Sequence, residues 1–204
     1  MLKKLSRLSK LSLLTFLALI SSQNILAHEM NENHEAGSKI SKSTTQVALP
    51  DLKIIKKDGV EVNLKSELNT KQIQVVSFVY STCKSICPMT NQILEKTQEK
   101  LGSELKSVHM SSFSIDPEYD TPERMRAYTK IFHTKDAWQH YSMYSEDDSI
   151  KIQRAFDIYK GDKMNHIPVF FIKSPKEPLW IRIDGLVSSD ELTNDIRKLI
   201  RSNQ

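Results

Sequence analysis

Residues 73–90 read IQVVSFVYSTCKSICPMT. The first half of this stretch is rich in β-branched and aromatic residues, which is typical of a strand buried on both faces. The second half leads into residues 89–101, whose apolar residues recur at helical spacing up to Gly102. The only two cysteines of the chain, Cys83 and Cys87, lie at this junction between strand and helix. Redox chemistry or soft-metal binding by thiols must therefore take place here.

The position of the cysteines indicates reactive thiols. The first turn of a helix offers unpaired N–H groups and the positive end of the helix dipole, and both lower the pKa of a nearby thiol. Pro88 suits the first helical position, which would put Cys87 at the helix start and Cys83 in the entering loop. Three intervening residues leave room for either a disulfide or a metal ion. A purely structural disulfide is disfavoured, because closing so short a loop stabilises little.

Strand and helix patterns alternate along the rest of the chain. A hairpin is predicted from residues 52–55 and 60–64 around an Asp-Gly turn. The further strands are predicted at residues 73–80, 106–115, 138–144, 169–172 and 179–183, and the helices at 89–101, 122–132, 149–159 and 188–200. This alternation predicts an α/β fold with a central mixed sheet flanked by helices, parallel at the crossovers and antiparallel at its end.

The N-terminal 48 residues divide into two predicted segments. Residues 1–27 have four basic residues, a short apolar run and a final Ala27, which is the layout of a secretory signal. We expect cleavage after Ala27, since the apolar run is short for a membrane span; an uncleaved anchor is the alternative. Residues 28–48 are polar and aperiodic and are predicted to form a flexible tether. One domain is then predicted at residues 49–204.

The basic charge of the chain belongs to this leader. Removing residues 1–27 takes away four of the 29 lysines and arginines and none of the 25 acidic residues, so the remaining chain is neutral. This balance argues against nucleic acid as a partner. Export also places the cysteines in an oxidising compartment, where a thiol reductant would have to keep them reduced.

Two further residues are predicted to lie near the cysteines. His166 directly precedes the apolar strand at 169–172, whose start should pass beside the cysteine turn, so we predict it as a third ligand. A surface or capping histidine is the alternative. Asp116 follows the strand neighbouring the cysteine-bearing one, where a site is expected to form; a role in merely ending its strand is equally open. By contrast, His109, His133 and His140 are predicted to lie outside the site.

Three stretches together resemble one family. They are VVSFVYSTCKSICPMTNQIL at 75–94, FSIDPEYDTPERMRAYTKIF at 113–132 and NHIPVFFI at 165–172. They are similar to the Sco/SenC family of thioredoxin-fold copper proteins, which assist assembly of the dinuclear copper site of cytochrome c oxidase. The resemblance runs from about residue 48 to the C-terminus and implies a thioredoxin-like fold, copper as the bound metal and a cuproprotein as the partner. It implies a location in the periplasm, or facing it from the inner membrane.

Residue by residue, the resemblance implies that Cys83 and Cys87 are the copper-binding thiols, His166 the copper-binding histidine and Asp116 the acidic residue near the site. The chain departs from the family in having Lys84-Ser85-Ile86 between the cysteines. It also departs at Pro168, where thioredoxin-like oxidoreductases carry a cis-proline facing the thiols.

Two functions therefore remain open at this point. The first is a copper chaperone. The second is a thiol-disulfide oxidoreductase that uses Cys83 and Cys87, for which Pro168 would present the partner's backbone. A zinc-binding or redox-sensing domain is weaker, because two cysteines and one histidine fall short of a closed zinc site.

Overall fold

The computed structural model describes residues 40–203. Its strands are β1 (Ser41–Thr45), β2 (Lys53–Lys56), β3 (Glu61–Asn63), β4 (Ile73–Val79), β5 (Val108–Ser114), β6 (Trp138–Ser142), β7 (Val169–Lys173) and β8 (Trp180–Asp184). Its α-helices are α1 (Leu64–Leu68), α2 (Ile86–Leu101), α3 (Pro122–Lys130), α4 (Glu146–Ala155) and α5 (Ser189–Asn203). In this part of the chain the strands form one sheet in the order β1-β8-β7-β4-β5-β6-β2-β3.

The sheet is mixed, as predicted. Strands β4, β5 and β6 are parallel, while β7 runs antiparallel beside β4 and β8 antiparallel beside β7. Every residue of β4 is buried, because the strand lies between β5 and β7 and is covered on both faces. Aromatic side chains pack against it: the Phe156 ring lies 5.3 Å from Phe78 and 4.8 Å from Phe171, edge to face in both pairs.

Local sequence signals explain most helix ends. The Thr121 hydroxyl accepts a hydrogen bond from the Arg124 N–H at 3.3 Å and caps α3, with Pro122 as its first residue. Gly102 ends α2 with a φ of 52°, a backbone conformation that suits glycine. Helix α4 begins at residue 146 rather than 149, because Ser145 caps it by accepting from the Asp148 N–H at 3.2 Å.

The folded part begins earlier than predicted. Strand β1 lies within the predicted tether at 28–48 and pairs antiparallel with β8, from Ser41 opposite Asp184 to Thr45 opposite Trp180. Four of its five residues are exposed, so the strand is held by main-chain pairing and not by burial of apolar side chains. Hydrophobic patterning could not predict such a strand, and the boundary at residue 49 is corrected to about residue 40.

The predicted leader at 1–27 and the first part of the predicted tether, residues 28–39, lie outside the described residues. Between residues 40 and 203, no helix combines the length and the apolar character that crossing a bilayer would require.

Candidate metal and thiol site

The sheet brings three predicted site segments to one edge. Strands β4 and β5 end side by side, and the Ile115 N–H donates to the Val79 carbonyl at 2.9 Å. Strand β7 starts beside the end of β4, with Phe170 opposite Ser77. The cysteine turn after β4, Asp116 after β5 and His166 before β7 therefore lie at the same edge, as the predicted topology requires.

Both cysteines are free thiols in different environments. Helix α2 begins at Ile86, one residue before Cys87, so Pro88 is its third residue and not its first. The Cys87 backbone N–H donates to the Cys83 sulfur at 3.4 Å, and the Ser85 hydroxyl lies 3.8 Å from the same sulfur. Cys83 and Cys87 are 6% and 1% exposed.

These contacts give the two thiols different pKa values. Burial alone would raise the pKa of Cys83, but hydrogen bonds from Cys87 and Ser85 outweigh it and lower the pKa to about 7. For Cys87, burial dominates and raises its pKa far above the ordinary value, with the neighbouring Cys83 thiolate adding to the rise. At neutral pH, Cys83 is therefore about half ionised, whereas Cys87 keeps its proton.

His166 is buried beside β4. Its Nε2–H donates to the Phe78 carbonyl at 3.0 Å, and within the described part of the chain its buried Nδ1 has no hydrogen-bond partner. Burial lowers the pKa of His166, and the bond to Phe78 opposes this only in part. The ring is thus neutral, with an unused lone pair on Nδ1 that suits a soft metal ion.

The conformation is not a finished metal centre. Across residues 40–203, no three His, Cys, Asp or Glu side chains are spaced to hold one metal ion together. The structure therefore brings His166 to the strand that leads into the cysteine turn, but it does not close the three predicted ligands around one point.

Asp116 fastens the histidine-bearing loop. The carboxylate is buried, and its Oδ2 accepts from the Lys163 Nζ at 2.6 Å. Lys163 belongs to a 3₁₀ turn, Lys163–Asn165, that directly precedes His166. The Asp116–Lys163 pair therefore links the end of β5 to the segment that carries His166.

Asp120 holds the cysteine turn, and sequence reasoning did not single it out. Its fully buried carboxylate accepts from the Ser81 N–H at 3.1 Å, from the Ser81 hydroxyl and from the Ser114 hydroxyl at 2.6 Å. Burial raises the pKa of Asp120, and the two serines oppose the shift. The available signal was the second aspartate of IDPEYDTP at 115–122, whose buried position depends on the turn between β5 and α3.

Tyr80 and Met164 form a further contact that was not predicted. The Tyr80 hydroxyl donates to the Met164 sulfur at 3.6 Å. Burial, followed by the Cys83 thiolate beside it, raises the pKa of Tyr80 to about 12. Tyr80 therefore stays protonated, with its hydroxyl on the Met164 sulfur and Cys83 nearby.

Of the residues that depart from the family pattern, Ser85 takes part in the site, because its hydroxyl lies 3.8 Å from the Cys83 sulfur, whereas Lys84 and Pro168 do not contact the sulfurs. Lys84 is exposed, on the solvent side of the cysteine turn. The peptide bond before Pro168 is trans, unlike the cis-proline that its sequence position suggested, and the Pro168 carbonyl accepts from the Gly185 N–H at 2.9 Å. The Pro168 carbonyl is therefore already paired within the protein and is not free to bind the backbone of a partner.

The other histidines lie elsewhere, as predicted. His133 is paired with Glu95 on the surface at 2.7 Å, and His109 lies 3.3 Å from the Tyr141 hydroxyl. His140 is fully buried, with its ring 5.0 Å from that of Trp138.

Comparison with known proteins identifies the family. A family model described as SCO1/SenC matches residues 42–201. The chain belongs to the SCO1/SenC family. A SCO1 protein homolog of Bacillus subtilis (strain 168) is 24% identical to this SCO1/SenC protein over 151 residues, 69% of this chain and 76% of the relative.

Solved structures confirm the predicted thioredoxin-like fold of this SCO1/SenC protein. Arabidopsis thaliana ScoI with copper bound has a TM-score of 0.62 at 23% identity, over 75% of this chain and 98% of the other. BsSco, described as having a disulfide switch and as a member of the Sco family of cytochrome c oxidase assembly proteins, has a TM-score of 0.63 at 23% identity, over 78% of this chain and 96% of the other.

Proposed function

We propose that this protein binds one monovalent copper ion through Cys83, Cys87 and His166 and delivers it to a cuproprotein. The observation that carries the proposal is the buried Nδ1 of His166, which has no partner among the described residues although its other nitrogen is held by Phe78. A buried polar atom normally has a hydrogen-bond partner, and a missing ligand is one reason for an exception. Holding one ring nitrogen on a carbonyl is also how proteins orient a metal-binding histidine.

The donor set fits the metal. Two thiolates and an imidazole suit monovalent copper, which prefers soft ligands. About half of the Cys83 side chains are thiolates near pH 7 and can bind first, whereas Cys87 would release its proton as the metal binds. This order makes copper affinity rise with pH.

Closing the site requires His166 to approach the sulfurs. The loop at residues 160–165 is exposed along its whole length, and it is joined to the body by the Asp116–Lys163 ion pair and the contact between Tyr80 and Met164. A shift of this loop would carry Nδ1 toward the cysteine turn without breaking any strand of the sheet.

The family and the leader support a recipient and a location. The Sco relative BsSco is described as a cytochrome c oxidase assembly protein, and we propose the subunit with the dinuclear copper site as the recipient. The signal-like residues 1–27 support export to the periplasm, with the leader cleaved or kept as a membrane anchor.

The decisive experiment is an anaerobic copper titration of the reduced protein. We expect one monovalent copper ion per chain, and we expect His166→Ala to weaken retention by about tenfold or more, as loss of a metal ligand does. His133→Ala is the matched control, because it removes a surface histidine paired only with Glu95. Absence of binding by the unmodified protein would refute the proposal. Unchanged affinity in His166→Ala would remove His166 from the site.

A thiol-disulfide oxidoreductase is the second candidate. It is favoured by the separation of the two thiols, because a thiolate at Cys83 can attack a disulfide while the protonated Cys87 waits to resolve the mixed disulfide. Each cycle would oxidise the pair and require a thiol reductant. Cys87→Ser should then trap a partner covalently and Cys83→Ser should not; trapping by neither variant would exclude this activity.

A further inference from the structure

Met164 is a thioether presented to solvent beside the site. Its side chain is 72% exposed, the highest value among the large exposed hydrophobic residues between 40 and 203. Exposure makes the sulfur accessible to an ion arriving from solvent. Its sulfur is nevertheless held in place, because it accepts a hydrogen bond from the buried Tyr80 hydroxyl at 3.6 Å.

The turn that carries Met164 is ordered by several contacts. The Asp162 carboxylate accepts from the Met164 N–H at 2.8 Å and caps the turn, and the His166 N–H closes it on the Lys163 carbonyl at 3.1 Å. The Lys163 ammonium, next to Met164 in the chain, is paired with the Asp116 carboxylate at 2.6 Å. This pairing reduces the repulsion between Lys163 and an incoming metal ion. The exposed sulfur thus lies two residues before the predicted ligand His166.

We propose that the Met164 sulfur is the entry ligand for monovalent copper, binding the ion before it passes to Cys83, Cys87 and His166. This inference rests on the proposed copper-binding function and adds a fourth residue to it. A thioether is a soft ligand for this ion, and it is not blocked by protonation or by disulfide formation. Tyr80 contacts the Met164 sulfur and lies near Cys83, so the ion would pass along Tyr80 from Met164 to Cys83.

The transfer is a ligand exchange without electron transfer. One bond between copper and its donor breaks as the bond to the Met164 sulfur forms. The Cys83 thiolate then displaces the remaining donor ligand. Cys87 binds next and releases its proton to solvent, and the bond to Met164 breaks as His166 binds. Copper stays monovalent throughout.

Loading kinetics test the inference. The reduced protein is mixed anaerobically with the monovalent copper complex of bicinchoninate, and loss of the chelator's colour is followed by stopped flow. We expect Met164→Leu, which keeps an apolar side chain but removes the sulfur, to load about tenfold more slowly, a change of about 1.4 kcal/mol in the barrier. The copper stoichiometry at equilibrium should not change. Met89→Leu is the matched control, because Met89 is also exposed, at 48%, on α2.

A second measurement reads the sulfur directly. In the Cys83→Ser/Cys87→Ser protein labelled with methyl-13C methionine, monovalent silver should shift the Met164 methyl resonance and leave that of Met89 in place. Equal loading rates for Met164→Leu and the unmodified protein, or no silver-induced shift, would overturn the role of Met164 while copper binding itself stands. Failure of the unmodified protein to bind copper would instead refute the proposed function, and the entry role with it.

Discussion

A single backbone N–H, that of Cys87, is the largest influence that lowers the pKa of Cys83. The Cys87 N–H points at the Cys83 sulfur because Cys87 is the second residue of α2, where its amide has no partner within the helix. An unpaired N–H of the helix start therefore stabilises the Cys83 thiolate, although Cys87 is the cysteine inside the helix. Sequence spacing predicted reactive thiols here, but it could not predict which of the two receives the amide, since that depends on where the helix begins.

The ionisation of Cys83 is the first prediction. Its pKa is lowered from an ordinary value of 9.0 to about 7, so its thiolate fraction should rise from about one tenth at pH 6 to about nine tenths at pH 8. Iodoacetamide labelling of the reduced protein, followed by mass spectrometry, should show a rate that is half-maximal near pH 7.

The control is Cys83→Ser, which leaves only Cys87. Because burial raises the pKa of Cys87, this variant should remain unlabelled over the same pH range. A labelling midpoint near 9 for Cys83 would show that the amide does not stabilise its thiolate.

At the scale of elements, Asp120 joins three of them. Its side chain binds Ser81 in the cysteine turn and Ser114 at the end of β5, and its main-chain carbonyl accepts from the Ser142 hydroxyl at the end of β6 at 2.6 Å. The cysteine turn thus gains its position from a carboxylate 39 residues further along the chain. Composition and periodicity do not reveal such a role, because an acidic residue before a helix is usually read as exposed.

Replacing Asp120 by Asn is the second prediction. All three groups around the carboxylate donate to it, and an amide keeps only one acceptor oxygen, so the group that faces its NH₂ loses its acceptor. We expect the free energy of unfolding to fall by about 2 kcal/mol, the usual cost of disrupting hydrogen bonds to a buried charged group. Urea unfolding of the reduced protein measures this.

The matched control is Asp58→Asn, which changes an exposed carboxylate that accepts one N–H in the turn between β2 and β3. Asparagine fits such a turn equally well, so its effect should stay within about 0.5 kcal/mol. Equal stability of Asp120→Asn and the unmodified protein would mean that Asp120 does not hold the cysteine turn.

At the scale of the molecule, the parts with strong apolar patterning were predictable. Strand β4, helix α3 with its Thr121 cap, and the closing pair β7 and β8 all appear within a few residues of their predicted bounds. The parallel pairing of β4 and β5 followed from the crossovers and placed Asp116 at the edge where the cysteines lie, and the antiparallel β7 brings His166, just before its start, to the same edge. Strand β1 and the role of Asp120 could not be predicted from the sequence. The strand depends on main-chain pairing and Asp120 on buried polar contacts, and neither produces a periodic pattern of apolar residues.

Strand β1 allows the last prediction, because it completes one end of the sheet. It covers the free edge of β8, and Lys42 reaches α5 through Asp195 at 2.6 Å. A chain that begins at residue 47 should therefore be less stable than one that begins at residue 40 by roughly 1–3 kcal/mol, at about 1 kcal/mol for each net backbone hydrogen bond.

Urea unfolding of the two chains measures the difference, and Lys42→Ala in the longer chain separates the contribution of the ion pair. That contribution should stay below about 1 kcal/mol, because Lys42 is partly exposed and solvent screens the pair. If the two chains unfolded with the same free energy, β1 would be an incidental contact, and the domain would start near residue 49 after all. If Lys42→Ala alone reproduced the whole loss, a side-chain pair would hold the strand, and main-chain pairing with β8 would contribute little.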